Sequence, residues 1–97
     1  MYYLPLFEED LAAAKNYIAN TLKNPTAALR LIEETEKKIL KRLDNPLAFE
    51  AYNSARNRSH PYYRIYVKNF TVFYVVIDNV MEVRRFIYNK RDLSNLI

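Results

Sequence analysis

The sequence predicts an α+β fold, with an N-terminal helical hairpin packed on a mainly antiparallel four-stranded sheet. Three observations predict it. Residues 62–92 hold three runs rich in Val, Ile, Tyr and Phe, parted by short polar pairs; residues 7–43 carry apolar positions at helical spacing, broken only at Asn24-Pro25; and a brief apolar run, Met1–Leu4, precedes Pro5.

Met1–Leu4 can supply at most an edge strand, where a proline is tolerated. From Phe7 the spacing turns helical. Phe7, Leu11, Ala14, Ile18 and Leu22 share one face, and Glu8, Glu9 and Asp10 fall in the first turn, where the helix dipole favours acids. Asn24 is placed to cap a second helix, with Pro25 at its first position, where a missing N–H is harmless. That helix should run to about Leu43, with Ala28, Leu31, Ile32, Thr35, Ile39 and Leu43 toward the sheet. Glu33, Glu34, Lys37, Lys38 and Lys41 then form a solvated face, with Glu33–Lys37 and Glu34–Lys38 as i,i+4 pairs. Asp44-Asn45-Pro46 ends the helix. The connector from Leu47 to Pro61 should tuck Leu47, Phe49 and Tyr52 onto the core and end in the basic stretch Arg56-Asn57-Arg58-Ser59-His60.

The three runs Tyr62–Lys68, Phe70–Ile77 and Val80–Tyr88 form a meander, turning at Lys68-Asn69 and Asp78-Asn79. Two-residue loops would oppose Val67 to Phe70 and Ile77 to Val80, and the period of two then sorts the side chains. One face collects Tyr63, Ile65, Val67, Phe70, Val72, Tyr74, Val76, Met81, Val83 and Ile87. Arg85 is its only charge, and it should snorkel at the edge or pair with an acid of the helices. The other face carries Arg64, Tyr66, Thr71, Phe73, Glu82, Arg84, Phe86 and Tyr88. This mixture of cations and rings is more than a core requires, and the function is expected there. A type I′ turn needs positive φ at both central residues, which Asn69 tolerates and Lys68 does not favour, so a bulge could shift the register by one.

Ninety-seven residues, half of them apolar, with nine Tyr and five Phe, suit a single domain spanning 1–97. The chain lacks cysteine, which excludes disulfides and thiolate metal sites. It also lacks glycine, which excludes phosphate cradles of the GxGxxG and Walker types, so no cofactor is expected. His60 has no ligating neighbour at metal spacing, and no metal is expected either. The N-terminus meets three acids where a signal peptide needs apolar residues, and no run is long enough to span a membrane, so the expectation is a cytoplasmic protein without membrane contact. Charge is unevenly placed: residues 1–50 hold seven Lys/Arg against eight Asp/Glu, and residues 51–97 hold eight against three. The sheet half is the basic half, suited to phosphate or an acidic protein surface.

Tyr63-Arg64-Ile65, Asn69-Phe70-Thr71-Val72-Phe73-Tyr74 and Arg85-Phe86-Ile87-Tyr88-Asn89-Lys90-Arg91-Asp92 resemble the YR-, NYxxFY- and R-x-x-YGRRD-type signatures of one family. Together with the order of elements, they make nearly the whole chain similar to the RelE/ParE toxins of bacterial type II toxin–antitoxin systems. Asn89 stands where that family usually has glycine, and Thr71 where many members have arginine. The resemblance implies a toxin that forms a hetero-oligomer with a cognate antitoxin, whose C-terminal segment wraps it and orders on binding. RelE-type members cut mRNA in the ribosome with converging Lys and Arg, because cleavage beside a 2′-OH needs a proton acceptor, cations on the phosphate and a donor for the leaving oxygen. Carried over, Arg64 and Arg91 match basic sites. Tyr66 and Thr71 occupy two others, and Ile97 falls near a catalytic tyrosine, which leaves the cluster half empty. If the chain is an endoribonuclease, Arg64, Arg91 and Tyr88 are its catalytic candidates, with Arg84 as a helper to Tyr88 on the same strand face. ParE-type members instead bind DNA gyrase, which requires a docking surface, and the absent cations favour that branch. Target or antitoxin contacts are expected at Arg64, Tyr66, Arg84, Phe86, Tyr88, Lys90 and Arg91. The plain alternative for the arginines is that they pack their stems on neighbouring rings. A degenerate homologue that binds only its antitoxin remains a third reading.

Overall fold

The computed structural model describes residues 1–52, 59–93 and 96–97, so the basic stretch at Arg56–Arg58 lies outside the described residues. Its elements are β1 (Tyr2–Tyr3), α1 (Pro5–Asn16), a π-helical turn (Tyr17–Thr21), α2 (Pro25–Leu43), β2 (Tyr63–Val67), β3 (Phe70–Ile77) and β4 (Val80–Tyr88). The helices pack on one face of a sheet ordered β1-β4-β3-β2, in which β1 runs parallel to β4 and the other pairs are antiparallel. The α+β hairpin-on-sheet architecture is as expected, and Met1–Leu4 does join the sheet edge.

Pro5 opens α1 at a position where no N–H is needed, so the helix starts earlier than the acidic run and Asp10 lies in its second turn. Asn24 caps α2 as expected, its Oδ1 accepting the Ala27 N–H at 3.1 Å. Ala28, Leu31, Thr35 and Ile39 are buried, and the Thr35 hydroxyl donates to the Leu31 carbonyl at 2.6 Å. Leu22 and Leu43 are exposed rather than core-facing, as are Leu47 and Phe49 of the connector, while Tyr52 packs on the sheet. The widened turn accounts for Leu22. Its N–H bonds the Tyr17 carbonyl, five residues back, which adds a residue to the turn and shifts Leu22 off the helical stripe of Leu11, Ala14 and Ile18.

Both hairpins have the expected register, with Val67 opposite Phe70 and Ile77 opposite Val80. Asp78 and Asn79 both take positive φ, as a type I′ turn demands. At the first turn Lys68 carries the positive φ, at 53°, rather than Asn69. A chain without glycine must place side-chain-bearing residues in the left-handed region, and Lys23, at φ 53°, does the same between the helices.

One irregularity re-sorts the faces. Phe73 pairs with Arg85 and Tyr74 with Val83, so Arg84 is an extra residue in β4. Beyond it every side chain exchanges faces relative to a regular strand. Phe86 turns toward the helices and is 2% exposed, in one cluster with Phe7, Leu31, Val72 and Val83. Ile87 turns away and joins Phe73, Val75, Tyr62 and Ile97 in a second cluster on the opposite face. The second face is therefore not polar, as its residues suggested. It holds a small core of its own, with Phe73 1% exposed beneath Tyr52 and Tyr62.

The bulge also explains Arg85 and Asp10. Arg85 makes a two-pronged ion pair with Asp10 of α1, Nε to Oδ2 at 2.8 Å and Nη2 to Oδ1 at 3.2 Å, and the Phe86 N–H donates to the same carboxylate at 3.0 Å. A bulge interrupts ladder bonding. Asp10 supplies an acceptor there while fixing the helix to the strand. The hydrogen bonds and charge of Asp10 outweigh burial and hold the Arg85 guanidinium above its ordinary pKa.

Candidate target and partner surface

The end of β4 separates two hollows, and Tyr88, 38% exposed, lines both. The first, of about 300 Å³, opens on the face away from the helices and is walled by Arg64, Tyr66, Thr71, Tyr88 and Tyr52. β2 sets Arg64 with its guanidinium carbon 4.8 Å from the Tyr52 ring centre and 5.6 Å from that of Tyr66. Such stacking favours a cation by the ring's negative face and immobilises the stem. Thr71 donates its hydroxyl to Asn89 Oδ1 at 2.5 Å and so ties β3 to the residue after β4. The Asn89 N–H is bonded to the Asn69 carbonyl at 2.9 Å, which closes that end of the sheet.

The second hollow, about 600 Å³, runs between the π-helical turn and the sheet. Tyr17, Ile18 and Leu22 form one wall; Phe70, Tyr88 and Arg91 form the other, and Phe86 lies at the bottom, stacked on Phe70 with ring centres 4.6 Å apart. Tyr17 and Leu22, which the widened turn presents to this groove, are both more than half exposed. An apolar trough with a cation at one end can seat an apolar segment of a protein partner.

The expected site residues are thus divided. Arg64, Tyr66 and Tyr88 come together in the first hollow; Arg91, Phe86 and Tyr88 meet in the second; Lys90 is exposed in the turn after β4 and lines neither. Arg84 stands apart, with Nε 2.9 Å from Glu82 Oε1 and its guanidinium over Tyr62. Burial works against its charge, but hydrogen bonds to Tyr62 and Glu82 outweigh it and raise its pKa. The expectation that Arg84 assists Tyr88 from the same strand face fails, because the bulge intervenes between them. Tyr88 instead sets its ring edge-on to Phe70 at 5.5 Å. Phe86, expected on the contact face, is instead 2% exposed at the floor of the groove.

Sequence reasoning missed Arg42, at the end of α2. Its Nη1 donates to the Arg64 carbonyl at 2.9 Å and to the Tyr74 hydroxyl at 3.0 Å, and its guanidinium lies 3.5 Å over Phe49. The Tyr74 hydroxyl in turn donates to the Pro46 carbonyl at 2.7 Å. Arg42 was legible only as a cation in the last turn of a helix, a position favoured by the dipole alone.

The sequence matches the family model described as the ParE toxin of type II toxin-antitoxin system, parDE, over residues 2–93. The chain belongs to this family. It is therefore a toxin of the RelE/ParE type, from a system in which an antitoxin is the partner. No curated protein matches the sequence. Among the described residues, no helix of this toxin is long and apolar enough to cross a membrane.

Proposed function

We propose that this ParE-family toxin arrests growth by docking on an essential protein, DNA gyrase being favoured, and that a cognate antitoxin neutralises it by covering its basic, aromatic surface. The dispersal of the expected site cations Arg64, Arg84 and Arg91 carries the reading. Strand scission of RNA needs several positive groups around one phosphate. Here Arg64 and Arg91 line different hollows, Arg84 is paired with Glu82, and Thr71 occupies the place of a further arginine. Docking has no such requirement. Arg64 held against Tyr52 and Tyr66, with Tyr88 and Arg91 at the groove mouth, offers the ring-and-arginine chemistry that anchors protein interfaces.

The purified chain should inhibit DNA supercoiling by gyrase and leave ribosome-bound mRNA intact. Replacing Arg64, Tyr66 and Arg91 together by Ala should abolish both supercoiling inhibition and growth arrest while the fold persists, since Tyr66 and Arg91 are exposed and Arg64 is partly so. Cutting of ribosome-bound mRNA would select the endoribonuclease reading. A chain inert in both assays that still binds its antitoxin would be a degenerate homologue.

A further inference from the structure

The core does not use all the apolar residues of the helical hairpin. Ala28, Leu31, Thr35 and Ile39 form the buried stripe of α2, yet Leu29, Leu40 and Leu43, roughly a quarter-turn further round the helix, are 59%, 55% and 39% exposed. A helix on a sheet needs one apolar stripe, and α2 carries two. Beside the second stripe α1 and α2 part to leave a hollow of about 480 Å³, lined in part by Leu11, Ala12, Leu29 and Ile32 and reaching down to Phe7 and Ile39.

The charged lining residues of this hollow are Glu8, Lys15 and Glu36. Glu8 and Lys15 stand two turns apart on one side of α1, about 10 Å along its axis. The hairpin is antiparallel, so Glu36 falls at the Glu8 end. Burial first and the charge of Glu36 second raise the Tyr3 pKa, and the Tyr3 ring stacks on Phe7 with centres 5.4 Å apart, which puts Glu36 beside the start of α1. Lys15 lies at the other end, where the Asn24 N–H bonds the Ile18 carbonyl and closes the hairpin. None of these three charges makes an ion pair among the described residues. The face therefore holds exposed leucines beside a hollow, two acids at one end and a cation at the other.

We infer that this face joins two copies of the chain about a two-fold axis. Such a contact lays one surface end for end upon itself. The rotation brings Lys15 of each copy against Glu8 and Glu36 of the other, and sets the exposed leucines of each into the hollow of the other, ridge into groove. Two hairpins then make a four-helix layer between two sheets. The hollow of Arg64 and Tyr66 opens on the opposite face of the sheet and stays free in both copies. A helix of an acidic partner suited to the basic sheet half would meet two carboxylates here against one cation, whereas a second copy supplies both signs in matching places. The inference stands on this face and not on the choice of target.

The test is sedimentation velocity of the purified full chain from about 1 to 100 μM, where the mass should approach that of two chains. Lys15→Glu should raise the dissociation constant about tenfold or more, and adding Glu36→Lys should restore it to within about threefold, since the swapped charges again face opposite signs. Leu29→Asp should abolish the dimer. All three positions are exposed, so the variants should melt like the parent. Because the chain lacks cysteine, a single introduced thiol reports the face. Ala12→Cys, between Glu8 and Lys15 on the same side of α1, should cross-link two copies under mild oxidation, and Tyr66→Cys, on the far face of the sheet, should not. The inference is overturned by a chain that is monomeric at about 100 μM, by a Lys15→Glu variant that dimerises as the parent does, by a double variant that stays apart, or by cross-linking through Tyr66→Cys in place of Ala12→Cys. Protection of the Ala12→Cys thiol by the neutralising partner, in a chain that is otherwise monomeric, assigns the hollow to that partner and overturns it as well.

Discussion

The strands of one sheet differ: β2 and β3 follow the period of two throughout, and β4 does not. On β2 and β3 every residue lies where alternation places it, so Ile65, Val67, Val72 and Tyr74 meet the helices. On β4 the alternation holds through Val83 and then inverts, which carries Phe86 into the main core and Ile87 into the small one opposite. One extra residue, Arg84, decides which of the cations and rings near the end of β4 face solvent. The lesson is that a surface read by parity is only as good as the ladder beneath it.

The sharpest way to break this comparison is Phe86→Ala. With the ring between Phe7 and Phe70, its loss should cost about 3–5 kcal/mol in urea unfolding; a ring on an exposed face would cost under about 0.5 kcal/mol. Next is Asp10→Ala, which strands Arg85 and the Phe86 N–H together. It should cost on the order of 3 kcal/mol, and Asp10→Asn should recover only the part owed to the N–H.

Tyr74→Phe sharpens the other half of the comparison, since the hydroxyl belongs to the regular part of the sheet. It should cost about 1–2 kcal/mol at neutral pH by leaving the Pro46 carbonyl without its donor. Burial raises the Tyr74 pKa, an effect only partly offset by its hydrogen bond from Arg42 and the Arg42 charge. A raised pKa means that the folded chain keeps a proton that the unfolded chain releases. The resulting stability is complete below the unfolded value of about 10 and is lost as pH rises through the folded one. The variant should therefore lose less stability than the parent between pH 9 and pH 11, measured by thermal melts across that range.

The smallest expected effect concerns Lys68. Glycine there relieves the left-handed backbone but loosens the unfolded chain, and the net should be a gain of about 0.5–1 kcal/mol.

Much of the fold was legible because its signals are local. Asn24-Pro25 caps a helix by its own chemistry, and Asp78-Asn79 accepts positive φ at both positions, so the hairpin and the second turn follow from a few adjacent residues. The widened turn at Tyr17–Thr21 was not legible, since nothing in YIANT distinguishes a π-type from an α-type ending. The bulge was anticipated only as a possibility at Lys68-Asn69, whereas it lies within β4, where the Asp10 carboxylate, 75 positions from Arg85, accepts a backbone N–H. Of the expected site, Arg64, Tyr66 and Tyr88 line one hollow, Tyr88 from the end of β4 beyond the bulge. The separation of Arg84 from them depends on that tertiary contact, while Arg91 shares only the second hollow with Tyr88.

The most direct measurement is pulse-labelling after induction in bacteria lacking the antitoxin, with thymidine and leucine incorporation followed separately over the first minutes. Thymidine incorporation should fail first, as the proposed docking on gyrase requires, since Arg64, Arg84 and Arg91 do not converge. An earlier fall in leucine incorporation, with cleaved ribosome-bound mRNA, would contradict it and make Arg64, Tyr88 and Arg91 catalytic despite their division between two hollows.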